Sequence, residues 1–313
     1  MRLKNFMMSA CMVMAVCCLT LTSCKKETKE EPETTTDDTQ DQTTSASDES
    51  QVQSEADQAM DDANVTINGI DNTSGKTDGY FPWPCGATID STQKASRIIT
   101  INYNGLTCDS TRSRSGSITV SLSNKWKEAG SVLTLTFNNY KVTRLATGKS
   151  ITIKGTKTMT NVNGGLLKHL IFNPSLLIVY KAKGSLELTF DDGQVRTWSV
   201  ARKITYANVS NVLQITLEGD TTIAGVANIV TWGKNRKNVE FKTRITTPIV
   251  SNSTCGWRRP TAGVKVHTGL AKEITVTFGV AINGESITSG CAYGYKLNWT
   301  NAKGESKQAV LNY

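Results

Sequence analysis

The chain has 313 residues and a formal net charge of +8, with 20% charged residues, 7% aromatic residues and two histidines. So few histidines leave little material for His-based catalysis or metal binding, and no GxSxG, HExxH, Walker or dinucleotide pattern occurs. The net charge averages two opposite pieces. Residues 25–63 carry thirteen Asp or Glu and three Lys, whereas residues 64–313 carry 30 Lys or Arg against 14 Asp or Glu, a balance of +16.

At the N-terminus, Arg2 and Lys4 precede an apolar run over residues 6–21. That is close to a signal-peptide hydrophobic region and short of the roughly 20 residues of a membrane span. Leu21-Thr22-Ser23-Cys24 then resembles the bacterial lipobox. The resemblance implies removal of residues 1–23 as a signal peptide and diacylation of Cys24, and two acyl chains hold a protein stably on a membrane. Residues 24–63 lack aromatic side chains and are rich in Thr, Ser, Gln and acid, which predicts a disordered tether. The acidic residues soon after Cys24 resemble the surface-export signals of Bacteroidota lipoproteins. This implies an outer-membrane lipoprotein displayed at the cell surface rather than facing the periplasm.

From residue 85 onward the pattern has period two. Ile99, Ile101 and Tyr103 alternate with polar residues, as do Ile118 and Val120, Leu133, Leu135 and Phe137, Ile151 and Ile153, Leu186, Leu188 and Phe190, Ile274, Val276 and Phe278, and Tyr295, Leu297 and Trp299. Strict alternation predicts all-β, antiparallel sheet with one face on a core, as a sandwich or an extended meander. Turn signals stand at Asn104-Gly105, Asn163-Gly164, Asp192-Gly193 and Asn283-Gly284. Leu166 to Phe172 reads as a helical turn or a buried strand, with His169 packed inside it. Asp191-Asp192 reads as a hairpin turn rather than a catalytic carboxylate pair. Trp198 and Trp299 fall in alternating strands and are expected in the core. His267 alternates with Val264 and Val266 and is expected to face solvent.

With Cys24 and the three cysteines before it set aside, Cys85, Cys108, Cys255 and Cys291 remain. Beyond the inner membrane an even count favours disulfides. The expected pairs are Cys85–Cys108 and Cys255–Cys291, because each flanks a strand of the same grammar. Without a CxxC, and with both histidines distant in sequence, zinc is not expected, nor is any other metal or cofactor. The repeated grammar fits one elongated sheet body over residues 64–313, or two related β modules with a seam near residues 161–175.

The stretches "RIITINYNGLTC", "RSRSGSITVSL", "ITIKGTKTMTN", "TWSVARKITY" and "CGWRRPTAGVKV" resemble an uncharacterised family of Bacteroidota lipoproteins, over most of residues 85–300. The resemblance implies fold and anchoring, and no activity or catalytic residue.

The basic body suggests an anionic partner such as an acidic glycan or another envelope component. Equally, the charge can be a solvated surface that guards sheet edges, or the acidic segment can fold back onto it. Export argues against nucleic acid. The candidate contact residues are Arg112 and Arg114 in a Ser-rich loop, Lys234, Arg236 and Lys237 after Trp232, and Trp257, Arg258 and Arg259 after Cys255. Arginine forks pair with anions and aromatic faces stack on sugars. The expected function is a non-enzymatic surface binding or structural protein. The alternatives are a glycan-processing enzyme with unrecognised carboxylates, and an adhesin or assembly subunit that adds a strand at an open edge.

Overall fold

The computed structural model of the chain describes residues 37–71, 84–257, 259–269, 273–301 and 303–313. A long helix α1 (Asp37–Asp71) is followed by the strands β1 (Ala87–Asp90), β2 (Ile98–Leu106), β3 (Arg112–Leu122), β4 (Ser131–Arg144) and β5 (Ser150–Asn161). A single helical turn, α2 (His169–Phe172), leads to β6 (Leu177–Phe190), β7 (Val195–Val209), β8 (Val212–Gly219), β9 (Thr221–Ile223) and β10 (Val226–Lys234). The chain ends with β11 (Glu240–Asn252), β12 (Ala262–Thr268), β13 (Ile274–Val280), β14 (Gly294–Thr300) and β15 (Ser306–Asn312).

All fifteen strands belong to one antiparallel meander in which sequence neighbours are almost always sheet neighbours. The exception lies at its middle. The first half of β7 pairs with β10 and its second half with β8, and β11 divides its pairing between the same two strands. β8 and β10 thus share one position in the sheet. Gly219 sits at this fork, where a Cβ would lie 2.1 Å from the Asn228 carbonyl oxygen.

The predicted alternation is observed. In β4, Leu133, Leu135 and Phe137 are buried and the Thr residues between them are not. A bulge then resets the phase. The register slips between Phe137 and Tyr140, opposite Gly116 (φ 86°), so that Tyr140 and Val142 also turn inward. Both expected disulfides are formed, Cys85–Cys108 and Cys255–Cys291. Trp198 and Trp299 are buried, and Asp191-Asp192 occupies the β6–β7 turn, where Asp192 Oδ1 accepts from the Gln194 amide.

Four expectations are corrected. The sheet has no seam at residues 161–175, because β5 and β6 pair continuously from Ile151↔Phe190 to Asn161↔Tyr180 across that connection. Asn104-Gly105 is no turn but lies inside β2, where Gly105 allows Gly86 to approach closely beside the Cys85–Cys108 bridge. His169 is exposed at the start of α2, and the residue that turn buries is Leu170.

The fourth correction concerns the acidic segment. Residues 24–36 lie outside the described residues, but residues 37–63 are helical rather than a disordered tether. No proline interrupts 37–71, and Val52, Ala56, Ala59, Met60, Ala63 and Ile67 recur every three or four residues. That spacing forms one apolar stripe along a helix, and all six residues are buried against the sheet.

Candidate functional site

Helix α1 lies across the strands. Asp62 meets β2 and β3, Asp57 meets β5 and β7, and Glu49 meets β7 and β10. The rise from residue 49 to 62 is about 20 Å. The five strand spacings from β3 to β10 come to about 24 Å, so successive helix turns cover successive strands.

Four of the cations that this helix meets, Arg114, Lys157, Arg196 and Arg202, sit on strands at positions in phase with the core. Arg114, 4% exposed, pairs with Asp62 at 2.5 Å, donates to the Cys85 carbonyl at 2.7 Å and lies over the Tyr103 ring. The Tyr103 hydroxyl donates to the same carboxylate. Lys157 and Arg202 share Asp57 at 2.9 and 3.0 Å. Arg196 pairs with Glu49, whose other oxygen accepts from Trp198 Nε1 and the Thr231 hydroxyl. Arg236 makes a fork to Asp48, reaches Asp192 and covers the Phe190 ring, and Arg112 meets Glu55.

These contacts decide the fate of the candidate residues. Arg112, Arg114 and Arg236 are engaged by the chain's own acidic helix, so a contiguous basic surface patch does not form around them. Lys234 and Lys237 are exposed near the β10–β11 turn, away from Trp257 and Arg259. Cys24 and Arg258 lie outside the described residues.

Trp257, Arg259 and Arg112 do share one feature, the wall of a cavity of about 1330 Å³ beside α1. Its apolar side is the inner face of β11–β14, with Ile249, Ile274, Val276, Phe278 and Tyr295. Its other side is the helix face bearing Gln53, Asp57, Asp61 and Asn64. The cavity reaches the surface, since Phe172 (83% exposed) and Trp257 belong to its wall.

The sequence reading missed the cavity's polar members. His267 is buried and does not face solvent. Its Nδ1 lies 2.9 Å from the Thr243 hydroxyl and its ring stacks on Phe241. Lys265 and His267, not Val264 and Val266, form the inward row of β12, paired against Ile245 and Thr243 of β11. The signal available was register: Lys265 and His267 sit opposite Val276 and Ile274 of β13, residues already assigned inward.

Burial pushes the His267 pKa down, with Arg196 and Lys265 acting in the same direction against Glu49, to about 4. A histidine held neutral in the fold stabilises it fully above its unfolded pKa of about 6.5, and that contribution is lost as pH falls toward 4. The chain is therefore expected to lose about 2 kcal/mol between pH 7 and pH 5, a range in which His267→Gln is expected to show a flatter profile. Urea unfolding at the two pH values checks this; equal slopes for both proteins would refute it.

Glu49 and Asp57 are both held near 2. Burial alone would raise them, but it is outweighed at Glu49 by Arg196 together with Lys265, His267 and the Thr231 hydrogen bond, and at Asp57 by Arg202 with Lys157. Glycosidic acid catalysis requires a carboxyl whose pKa is raised, so these two members of the wall are poorly suited to that role. Among the described residues no helix is long and apolar enough to cross a membrane. No family model, curated protein or solved structure matches the chain.

Proposed function

We propose that the chain is a non-enzymatic, lipid-anchored envelope protein that binds an envelope molecule with a substantial apolar part. The carrying observation is the cavity of about 1330 Å³ walled by aliphatic and aromatic side chains. Small-molecule sites commonly span about 300–1,000 Å³, with mostly apolar walls and a few convergent polar groups. Packed interiors leave few voids larger than a water molecule, and an open apolar-walled space of this size supports a binding role. An acidic polysaccharide is less well served, because three of the arginines that would grip it already hold carboxylates of α1.

Anchoring and cell-surface display rest on Leu21-Thr22-Ser23-Cys24 and the resemblance to Bacteroidota lipoproteins. Cys24→Ala is expected to shift the protein from the membrane to the soluble fraction of its host. Retention in the membrane would argue against a lipid on Cys24.

Binding is tested with a neutral fluorescent apolar probe, N-phenylnaphthylamine, titrated into the chain without its first 23 residues. Saturable binding with one probe per chain, weakened by Leu213→Trp on the cavity wall, is expected. Absence of saturable binding, or binding indifferent to the substitution, would remove the cavity from the account. Concentration-dependent oligomers without probe binding would favour assembly through the sheet edges instead.

A further inference from the structure

The cavity is apolar over much of its wall, yet it contains donors with nothing to bind. His267, 6% exposed, has no hydrogen-bond partner at Nε2. In the tautomer in which the Thr243 hydroxyl donates to Nδ1, the ring proton sits on Nε2 and makes it a donor. Arg202, 2% exposed, uses Nη1 on Asp57 and leaves Nε and Nη2 without partners. Lys265, half-buried, lies beside the Phe278 ring, with no hydrogen bond or ion pair to any described residue. All three line the cavity.

The local charge is also unbalanced. Lys157 and Arg202 both pair with Asp57, and of the other wall carboxylates Asp61 reaches Lys157 through its field. The carboxylate whose field reaches Lys265 is Glu49, and it is already bound by Arg196, Trp198 and Thr231. An ammonium removed from bulk water without a partner is costly, and its usual remedies are an ion pair or loss of its proton. Burial, together with the nearby Arg196 and Arg202, does push the Lys265 pKa down, against the pull of Glu49. The missing component is one negative charge with several acceptor oxygens. Directly beside it, on β13 and β14, runs an apolar surface: Ile274, Val276, Phe278 and Tyr295.

Building on the cavity reading above, we infer that the ligand is an anionic amphiphile, its carboxylate or phosphate head seated among Lys265, His267 and Arg202 and its apolar chain lying along β13 and β14. Each charge-assisted hydrogen bond is roughly twice as strong as a neutral one. The head group therefore sets preference, while the chain supplies most of the burial.

The test uses four ligands that share one hexadecyl-length chain: palmitate, hexadecyl phosphate, hexadecanol and hexadecylamine. Each competes with the neutral probe, below its aggregation concentration. The two anions are expected to bind at least about tenfold more tightly than the alcohol or the amine, the equivalent of about 1.4 kcal/mol. Their relative order tells a carboxylate source from a phosphate source. Lys265→Met is expected to erase that preference while leaving thermal stability intact, because replacing a poorly paired, half-buried charge with an apolar side chain is neutral or stabilising. Lys265→Arg is expected to retain it. Equal affinity for all four ligands, or tightest binding of the amine, overturns the head-group site and leaves the cavity reading standing. If none displaces a probe that does bind, the amphiphile proposal alone falls; if the probe itself does not bind, the cavity reading falls with it.

Discussion

A chain lacking residues 37–71 is expected to lose its cooperative unfolding transition and to bind hydrophobic dyes. Without the helix, residues 84–313 retain 29 Lys or Arg against 12 Asp or Glu. Arg114, Lys157, Arg196 and Arg202 are each at most 4% exposed and would all lose their carboxylates at once. Breaking one buried ion pair by removing a partner costs about 3–5 kcal/mol. A whole domain is stable by about 5–15 kcal/mol. The loss of several pairs therefore exceeds what the sheet has to spare. Water entering the vacated space would solvate the cations, but it would also wet the Ile101, Leu135, Ile153, Leu188 and Trp198 surface that α1 helps to cover. Calorimetry on the deleted chain checks this, and adding the 37–71 peptide in trans is expected to restore a transition. A deletion that melts within a few degrees of the parent would show that the helix is dispensable.

The largest effect of a single substitution is expected at Glu49. Its two oxygens serve Arg196, Trp198 and Thr231, and Glu49→Ala orphans all three. The expected loss is about 3–5 kcal/mol. Replacing both partners, Glu49→Leu with Arg196→Met, is expected to recover most of it, because a well-packed apolar pair does not carry the desolvation cost. The pH dependence has a definite sign. With its pKa held near 2 instead of 4.5, ionised Glu49 stabilises the fold fully above pH 4.5. That contribution, about 3 kcal/mol, is lost as pH falls toward 2. Urea unfolding of the single and double variants from pH 7 to pH 3 checks both statements. A Glu49→Ala protein as stable as its parent would mean that this pair lies in water.

The sheet was legible because its chemistry is local: alternate Ile, Val, Leu and aromatic residues separated by Thr mark one buried face in each strand. The interior of that face was harder to read. In β7, Arg196, Trp198, Val200, Arg202, Ile204 and Tyr206 form a single row, so both arginines stand in phase with core residues. The same holds for Lys157 beside Met159, and for Lys265 beside His267. Cations at inward positions require anions that the strands do not supply. The acidic segment supplies them, and its stripe from Val52 to Ile67 has the period of a helix. Composition alone hid this, since ten acidic residues without a basic one in residues 37–71 look like a solvated tether until their partners are known. The cavity was not legible at all. It depends on how far across the sheet one helix reaches, which no spacing in the sequence records.

The measurement that bears most directly on the central claim, that the acidic segment is the inner packing of the sheet, is amide hydrogen exchange of the intact chain at neutral pH. Amides from Val52 to Ile67 are expected to exchange as slowly as those of β3 to β7, opening only with the whole fold. Exchange of those amides at the rate of an unstructured peptide, with the sheet still protected, would contradict it.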